Sequence, residues 1–201
     1  MQPKTVIFIG PQGSGKGTQI AKLDDVLRGL DPTRDVVDIQ TGRRFRALAT
    51  RAEGYTEQHV GQTIDSGVLQ PLFLSVHLWA DAFTTHVDPN VHLLIDGFPR
   101  VVREARILET ALEFYERAPL DVINLETPEE VVRERMESRA RADDTPESIE
   151  ARLRWYREET LPVVDYYRER AETHVHDIDG TDSIDGVHQQ ICTALQLTHD
   201  H

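Results

Sequence analysis

The sequence predicts an α/β fold in which a parallel sheet of five strands carries helices on both faces. Three observations lead there. Five short apolar runs recur along the 201 residues, helix-like segments separate them, and the first run ends in a glycine-rich turn that opens a helix. Strands that alternate with helices form parallel sheets covered on both sides.

The strands are expected at Thr5–Ile9, Asp35–Ile39, Val91–Ile95, Leu120–Leu125 and His174–Ile178. The first helix is expected over Gln19–Leu30. The stretch from Thr41 to Asp88 is helical in pattern and contains no strand. It is too long for a simple crossover, so an insertion is expected within it. Thr127, Pro128 and Glu129-Glu130 read as a helix N-cap, a first-turn proline and an acidic first turn; Thr145, Pro146 and Glu147 repeat the arrangement. Ser148–Arg170 is long and heavily charged, and Pro162 is expected to bend or break it.

Composition bounds the function. The length suits one domain with a substantial core. The longest apolar runs are too short to span a membrane, and the N-terminus lacks signal-peptide features. Cys192 is the single cysteine, which excludes an internal disulfide and a cysteine-built zinc site. A cytoplasmic protein is expected. The net charge of −13 argues against nucleic acid or an anionic membrane as partner. Three lysines stand against nineteen arginines. A salt-rich cytoplasm and a GC-rich genome would each favour that bias. The tail His199-Asp200-His201 reads as a frayed terminus rather than a metal site.

The chemistry is concentrated at Gly10–Thr18, GPQGSGKGT. Glycines at Gly10, Gly13 and Gly15 admit positive φ and close approach of a ligand. Consecutive backbone N–H groups, Ser14 included, can form an anion nest, and the helix N-terminus adds free donors and partial positive charge. Lys16 adds a full charge, and the hydroxyl that would serve a metal sits on Thr18 because Gly17 intervenes. These features suit the phosphates of a nucleoside triphosphate. Asp96 closes the run Val91–Ile95 at the strand end where parallel sheets bind ligands, placed to hold magnesium directly or through water.

Three motifs in order resemble the nucleoside monophosphate kinases, adenylate kinases above all. They are GKGTQ at Gly15–Gln19, DGFPR at Asp96–Arg100, and an arginine series. That series comprises Arg135 and Arg139, four residues apart on one helix face, then Arg141 before Ala142-Asp143-Asp144, and Arg152 before Leu153. The resemblance covers nearly the whole chain, from Val6 to about Val187. It implies a single P-loop kinase-like domain over residues 1–201, with a monophosphate-binding insertion at about 41–71. A short lid at about 138–147 follows from Ala140 alone separating Arg139 from Arg141. It implies ATP as donor, AMP as acceptor, Mg²⁺ as cofactor and a monomer.

The same resemblance assigns roles. Gly13, Ser14, Gly15, Lys16, Gly17, Thr18 and Arg135 would hold ATP. Thr41, Arg46, Leu69, Gln70, Gly97, Arg100, Glu104, Arg141 and Arg152 would hold the acceptor, with Gly67–Pro71 resembling the turn whose backbone touches its base. Lys16, Arg100, Arg135, Arg139, Arg141 and Arg152 would neutralise the transferring phosphoryl group, and Asp96 and Thr18 would serve the metal.

Two positions depart from the family. Arg43 replaces an aspartate after the Thr-Gly pair, and either an added phosphate contact or plain solvent exposure accounts for it. Glu104 stands where adenylate kinases place the glutamine that reads adenine. A carboxylate offers acceptors only, whereas guanine presents two donors. A GMP-accepting or relaxed enzyme is therefore the alternative to an adenylate kinase. A catalytically dead adenylate sensor is a remoter one, but none of the lysine and arginine set is missing. A kinase for a non-nucleotide substrate is opposed by DGFPR and the helical insertion.

Overall fold

The computed structural model describes residues 1–51, 53–64, 68–139 and 144–197. Five strands form one parallel sheet: β1 (Thr5–Ile9), β2 (Val36–Gln40), β3 (His92–Asp96), β4 (Leu120–Glu126) and β5 (Thr173–Asp179), in the spatial order β2-β3-β1-β4-β5. Each lies within a residue of its expected bounds. The order sets β1 at the centre, with Phe8 level with Asp96 on one side and Ile123 on the other.

Alternation along β1 divides the core between the two faces, as a period of two requires. Ile7 and Ile9 join Trp79, Phe83, Phe98 and Tyr167 on one face. Val6 and Phe8 join Ile20, Leu23, Leu27 and Ile191 on the other. The first face is covered by α4 (Leu72–His86), α5 (Val102–Phe114) and α8 (Leu161–Arg168), the second by α1 (Lys16–Leu30) and α9 (Ile184–Ala194). At about 25 cal/mol per Å² of apolar area, residues buried on two sides supply most of the driving force.

The first helix starts three residues earlier than expected, at Lys16, because Gly15 takes a left-handed conformation (φ 102°) and caps it directly. The span after Thr41 is helical, as expected: α2 (Thr41–Arg51), α3 (Tyr55–Ile64) and then α4. Phe45, Val60 and Leu74 form a small cluster of their own away from the sheet. Two further helices, α6 (Glu129–Arg139) and α7 (Pro146–Trp155), enclose Val132, Met136, Ile149 and Leu153. Thr145 caps α7 through a reciprocal pair with Ser148, and Pro146 opens its first turn. Pro162 does interrupt the long charged segment. A π-helical turn at Tyr156–Thr160 separates α7 from α8, because a proline has no N–H to continue the α ladder. The histidine-bearing tail at 199–201 lies outside the described residues.

The amino-terminal end of the sheet buries polar groups against one another. His92 is inaccessible; its Nδ1 accepts the Lys4 N–H at 3.0 Å and its Nε2 lies 3.6 Å from Asp31 Oδ2. Burial lowers the His92 pKa from its usual 6.5; Asp31 opposes the shift, and Arg34 and Arg117 add to it. A folded pKa below the unfolded one means that the unfolded chain binds more protons as pH falls. Stability is therefore full above pH 6.5 and is lost below it, by at most about 1.4 kcal/mol per pH unit from this group. His92→Phe is expected to make the pH dependence of urea unfolding shallower below pH 6.5 by up to about one proton. An unchanged slope would mean that His92 takes up its proton as readily folded as unfolded.

Candidate active site

The carboxyl ends of β1, β2 and β3 and the loop after β5 open into a cavity of about 670 Å³. Its floor is the turn from Gly10 to Thr18. The backbone there is forced by crowding as much as by turning. Gly13 has φ 95°, and a Cβ on it would stand 2.8 Å from Met136 Cγ and 3.1 Å from Val132 O. Ser14 is buried and its hydroxyl has no partner among the described residues. Lys16 folds back over the turn and donates to Gly10 O at 2.8 Å and Pro11 O at 2.9 Å.

Gly13, Ser14, Gly15, Lys16, Gly17, Thr18, Arg46, Asp96, Gly97, Arg100, Arg135 and Arg139 all line this cavity. Arg135 donates to Ser14 O at 3.3 Å and Gly180 O at 3.0 Å, tying α6 to the turn. Asp96 is level with Phe8 of β1 and Gln40 of β2. Its Oδ1 is a buried carboxylate oxygen without a partner among the described residues.

A second cavity of about 110 Å³ adjoins the first, and Arg46, Arg100 and Trp155 line both. Leu69, Gln70, Glu104 and Arg152 face it, as expected of an acceptor site. Arg152 is buried and donates to Asp144 Oδ1 at 2.8 Å. Arg139 grips the same carboxylate through Nε and Nη2 at 2.8–3.0 Å. Asp144 thus clasps two arginines from different helices. Arg141 and Gly67 lie outside the described residues.

Thr41 departs from expectation. It lines neither cavity; its side chain is fully buried and its hydroxyl donates to Gly97 O at 2.8 Å. It therefore braces the turn that carries Arg100. Arg43 does line the larger cavity, with a side chain 67% exposed and an ion pair to Asp38 at 3.5 Å, so the two readings of it meet in one geometry.

The electrostatics are lopsided. Burial lowers the Lys16 pKa; Asp96 opposes that shift, while Arg100 and Arg139 reinforce it. Burial likewise lowers the Arg100 pKa, with Asp96 and Glu104 opposing and Arg152 and Arg46 reinforcing. Cations crowd here against one another with few counter-charges, a field that a polyanion relieves.

Glu104 points inward and is only 2% exposed. Oε1 accepts the Ser75 hydroxyl at 2.6 Å and the Trp79 indole N–H at 3.2 Å, and Oε2 accepts the Arg100 N–H at 2.7 Å. It completes the start of α5, where Val101 has no capping side chain.

Sequence reading missed Trp155, whose ring lies 5.1 Å from the Arg100 guanidinium carbon. An aromatic residue in a charged helix reads as packing. It also missed the wall formed by Gly180, Asp182 and Ile184 after β5. The glycine directly beyond a strand end was the available signal, as it is at Gly97.

A family model described as adenylate kinase matches residues 8–172. The chain is 35% identical over 190 residues to the adenylate kinase of Corynebacterium urealyticum, covering 94% of this chain and 98% of that protein. It is 39% identical over 168 residues to that of Corynebacterium aurimucosum, covering 80% and 84%. It is 33% identical over 203 residues to that of Deinococcus radiodurans, covering 96% of each.

Gly13→Ala combines positive φ with a clash against α6, so it is expected to destabilise the fold by about 1–3 kcal/mol and to lower turnover further by displacing the turn. Urea unfolding and a turnover assay on the same preparation test this. A variant as stable and active as the parent would show that α6 yields freely.

Proposed function

The chain belongs to the adenylate kinase family, and from that premise we infer that it transfers the terminal phosphoryl group of ATP to AMP, giving two ADP. The observation that carries this reading is the pair of adjoining cavities with a self-repelling set of cations, Arg46 and Arg100, on their shared wall.

The donor triphosphate belongs over the Gly10–Thr18 turn, whose glycines and Lys16 line the larger cavity at the start of α1. The acceptor belongs in the smaller cavity beside Arg152, Leu69 and Gln70. Its phosphate is already ionised near neutral pH, so no general base is needed. Rate then comes from alignment of the two nucleotides and from stabilising the charge spread over the transferring group. Arg100 and Arg46 reach both sides of that junction. Arg135 and Arg139 bear on the donor side and Arg152 on the acceptor side, to which the family resemblance also assigns Arg141.

Magnesium fits the residues present. Asp96 offers an unpartnered buried carboxylate oxygen and Thr18 a hydroxyl on the same cavity wall. Among the described residues no three carboxylate, histidine or cysteine side chains converge as a cage. That suits an ion that keeps waters and takes few protein ligands. When bound, it supplies positive charge against the donor phosphates. Water must be kept from the triphosphate. We assign that task to closure of the insertion at about 41–71 and the lid at about 138–147, where Asp144 ties Arg139 to Arg152 of α7.

We further propose a cytoplasmic monomer acting on small nucleotides. No described helix is long and apolar enough to cross a membrane, and the acidic surface disfavours nucleic acid.

In a coupled assay with ATP, AMP and magnesium, Lys16→Met or Arg100→Ala is expected to lower turnover by at least about a hundredfold, the usual scale for a positioned charge-stabilising group. Near-parental activity in either variant would remove that residue from the reaction. Asp96→Asn is expected to raise the magnesium concentration needed for half-maximal rate. An unchanged magnesium dependence would place the ion elsewhere.

A further inference from the structure

Glu104 lines the smaller cavity at the position from which the family's glutamine reads the acceptor base, yet three protein donors converge on its carboxylate. We propose that Glu104 is a positioning residue for Arg100, held by the protein itself rather than by the acceptor base. The inference rests on the acceptor site assigned above.

The argument turns on which donors meet which oxygen. The Trp79 indole and the Arg100 backbone N–H can only donate. They meet different oxygens, Oε1 and Oε2 respectively. Ser75 shares Oε1, but a hydroxyl can donate or accept. A carboxylate has two acceptor oxygens and satisfies both obligate donors. A carboxamide has one. With glutamine here, either Trp79 or Arg100 must face an NH₂ group, donor against donor, in a site where Trp79 and Glu104 are each 2% exposed. Trp79 thus specifies glutamate at residue 104.

What the carboxylate positions follows from its neighbours. The Arg100 N–H that it accepts belongs to the turn Asp96–Arg100, whose Phe98 stacks on Trp79 with ring centroids 5.4 Å apart. The Arg100 side chain is fixed in turn by Nε donating to Gly97 O at 2.7 Å. Glu104 therefore pins α4, the start of α5 and the Arg100 turn at one point. Displacing that point moves the guanidinium that both cavities share. Discrimination of the base passes to other groups on the cavity wall, Gln70 among them.

The test is a double-mutant cycle on Trp79→Phe and Glu104→Gln, with kcat and KM for AMP, GMP, CMP and UMP and the Tm of each protein without nucleotide. Glu104→Gln alone is expected to lower kcat with every accepted monophosphate by at least about tenfold, since a buried donor loses its partner. The preference for AMP over GMP should stay within about threefold of the parent's, because no base contact is lost. Trp79→Phe removes one obligate donor and keeps the aromatic stack. The amide oxygen can then serve Arg100 and its NH₂ can serve Ser75. The double variant is expected to recover kcat to the level of Trp79→Phe alone and to show the same coupling in Tm.

Three results overturn the proposal. One is a Glu104→Gln variant that keeps kcat and shifts the AMP-to-GMP preference by about tenfold or more, which makes Glu104 a base reader. Another is a lowered Tm with kcat unchanged, which makes it structural only. The third is a double variant no better than Glu104→Gln, including one that also fails to fold. A parental protein that phosphorylates no monophosphate would defeat the assigned activity instead, while the coupling in Tm would still report on the donor conflict.

Discussion

Like charges held together against their own repulsion are the constraint on which this molecule is built. Lys16 and Arg100 are each depressed by burial and by neighbouring guanidinium groups, with Asp96 the principal counter-charge to both. No such cluster would assemble in a flexible chain. It persists because Lys16, Arg100 and Arg135 are anchored by groups that do not neutralise them. Lys16 is tied to carbonyls of its own turn, Arg135 to Ser14 O and Gly180 O, and Arg100 to Gly97 O. Carbonyl anchors orient a cation and leave its charge available to a ligand. A polyanion entering the cavity meets a field already assembled, and little reorganisation is needed as charge develops.

The sheet is what resists the repulsion. β1 is buried on both faces and between two strands, so the turn that follows it starts from the most fixed point in the fold. The opposite end of the sheet shows the contrasting treatment of a buried cation. Arg117, 4% exposed, donates to Thr5 Oγ1 and to the carbonyls of Lys4, Asp88 and Pro89, and burial lowers its pKa to about 10. Its donors are met by the protein itself and it joins loops together. The same residue type thus closes one end of the sheet and equips the other.

Asp144 and Glu104 play matching parts at the edges of the cationic set. Asp144 joins Arg139 of α6 to Arg152 of α7, and Glu104 joins α4 to the Arg100 turn. Each carboxylate holds cation-bearing elements at a set spacing. Acidic residues near a phosphate site would be unfavourable if they faced the ligand. Here their oxygens are already occupied by protein donors, which screens them from it.

Much of this was legible in the residues. Periodicity located all five strands within a residue, Thr145-Pro146 located a helix start, and the glycine spacing with Lys16 identified a phosphate turn, because these features depend on local backbone chemistry alone. Most side chains expected at the site do converge on the two cavities, since motif residues at strand ends are carried there by the parallel topology. Local pattern could not say where Thr41 would point, that Trp155 would lie over Arg100, or that the loop after β5 would form a wall. Nor could it say that Glu104 would be filled by Ser75 and Trp79, which lie 29 and 25 residues away in the chain. The sequence alone determined which chemical groups were present and on which kind of element. Only the tertiary structure decided which donors meet which acceptors, because a buried polar group takes the partner that packing brings near, whatever its distance along the chain.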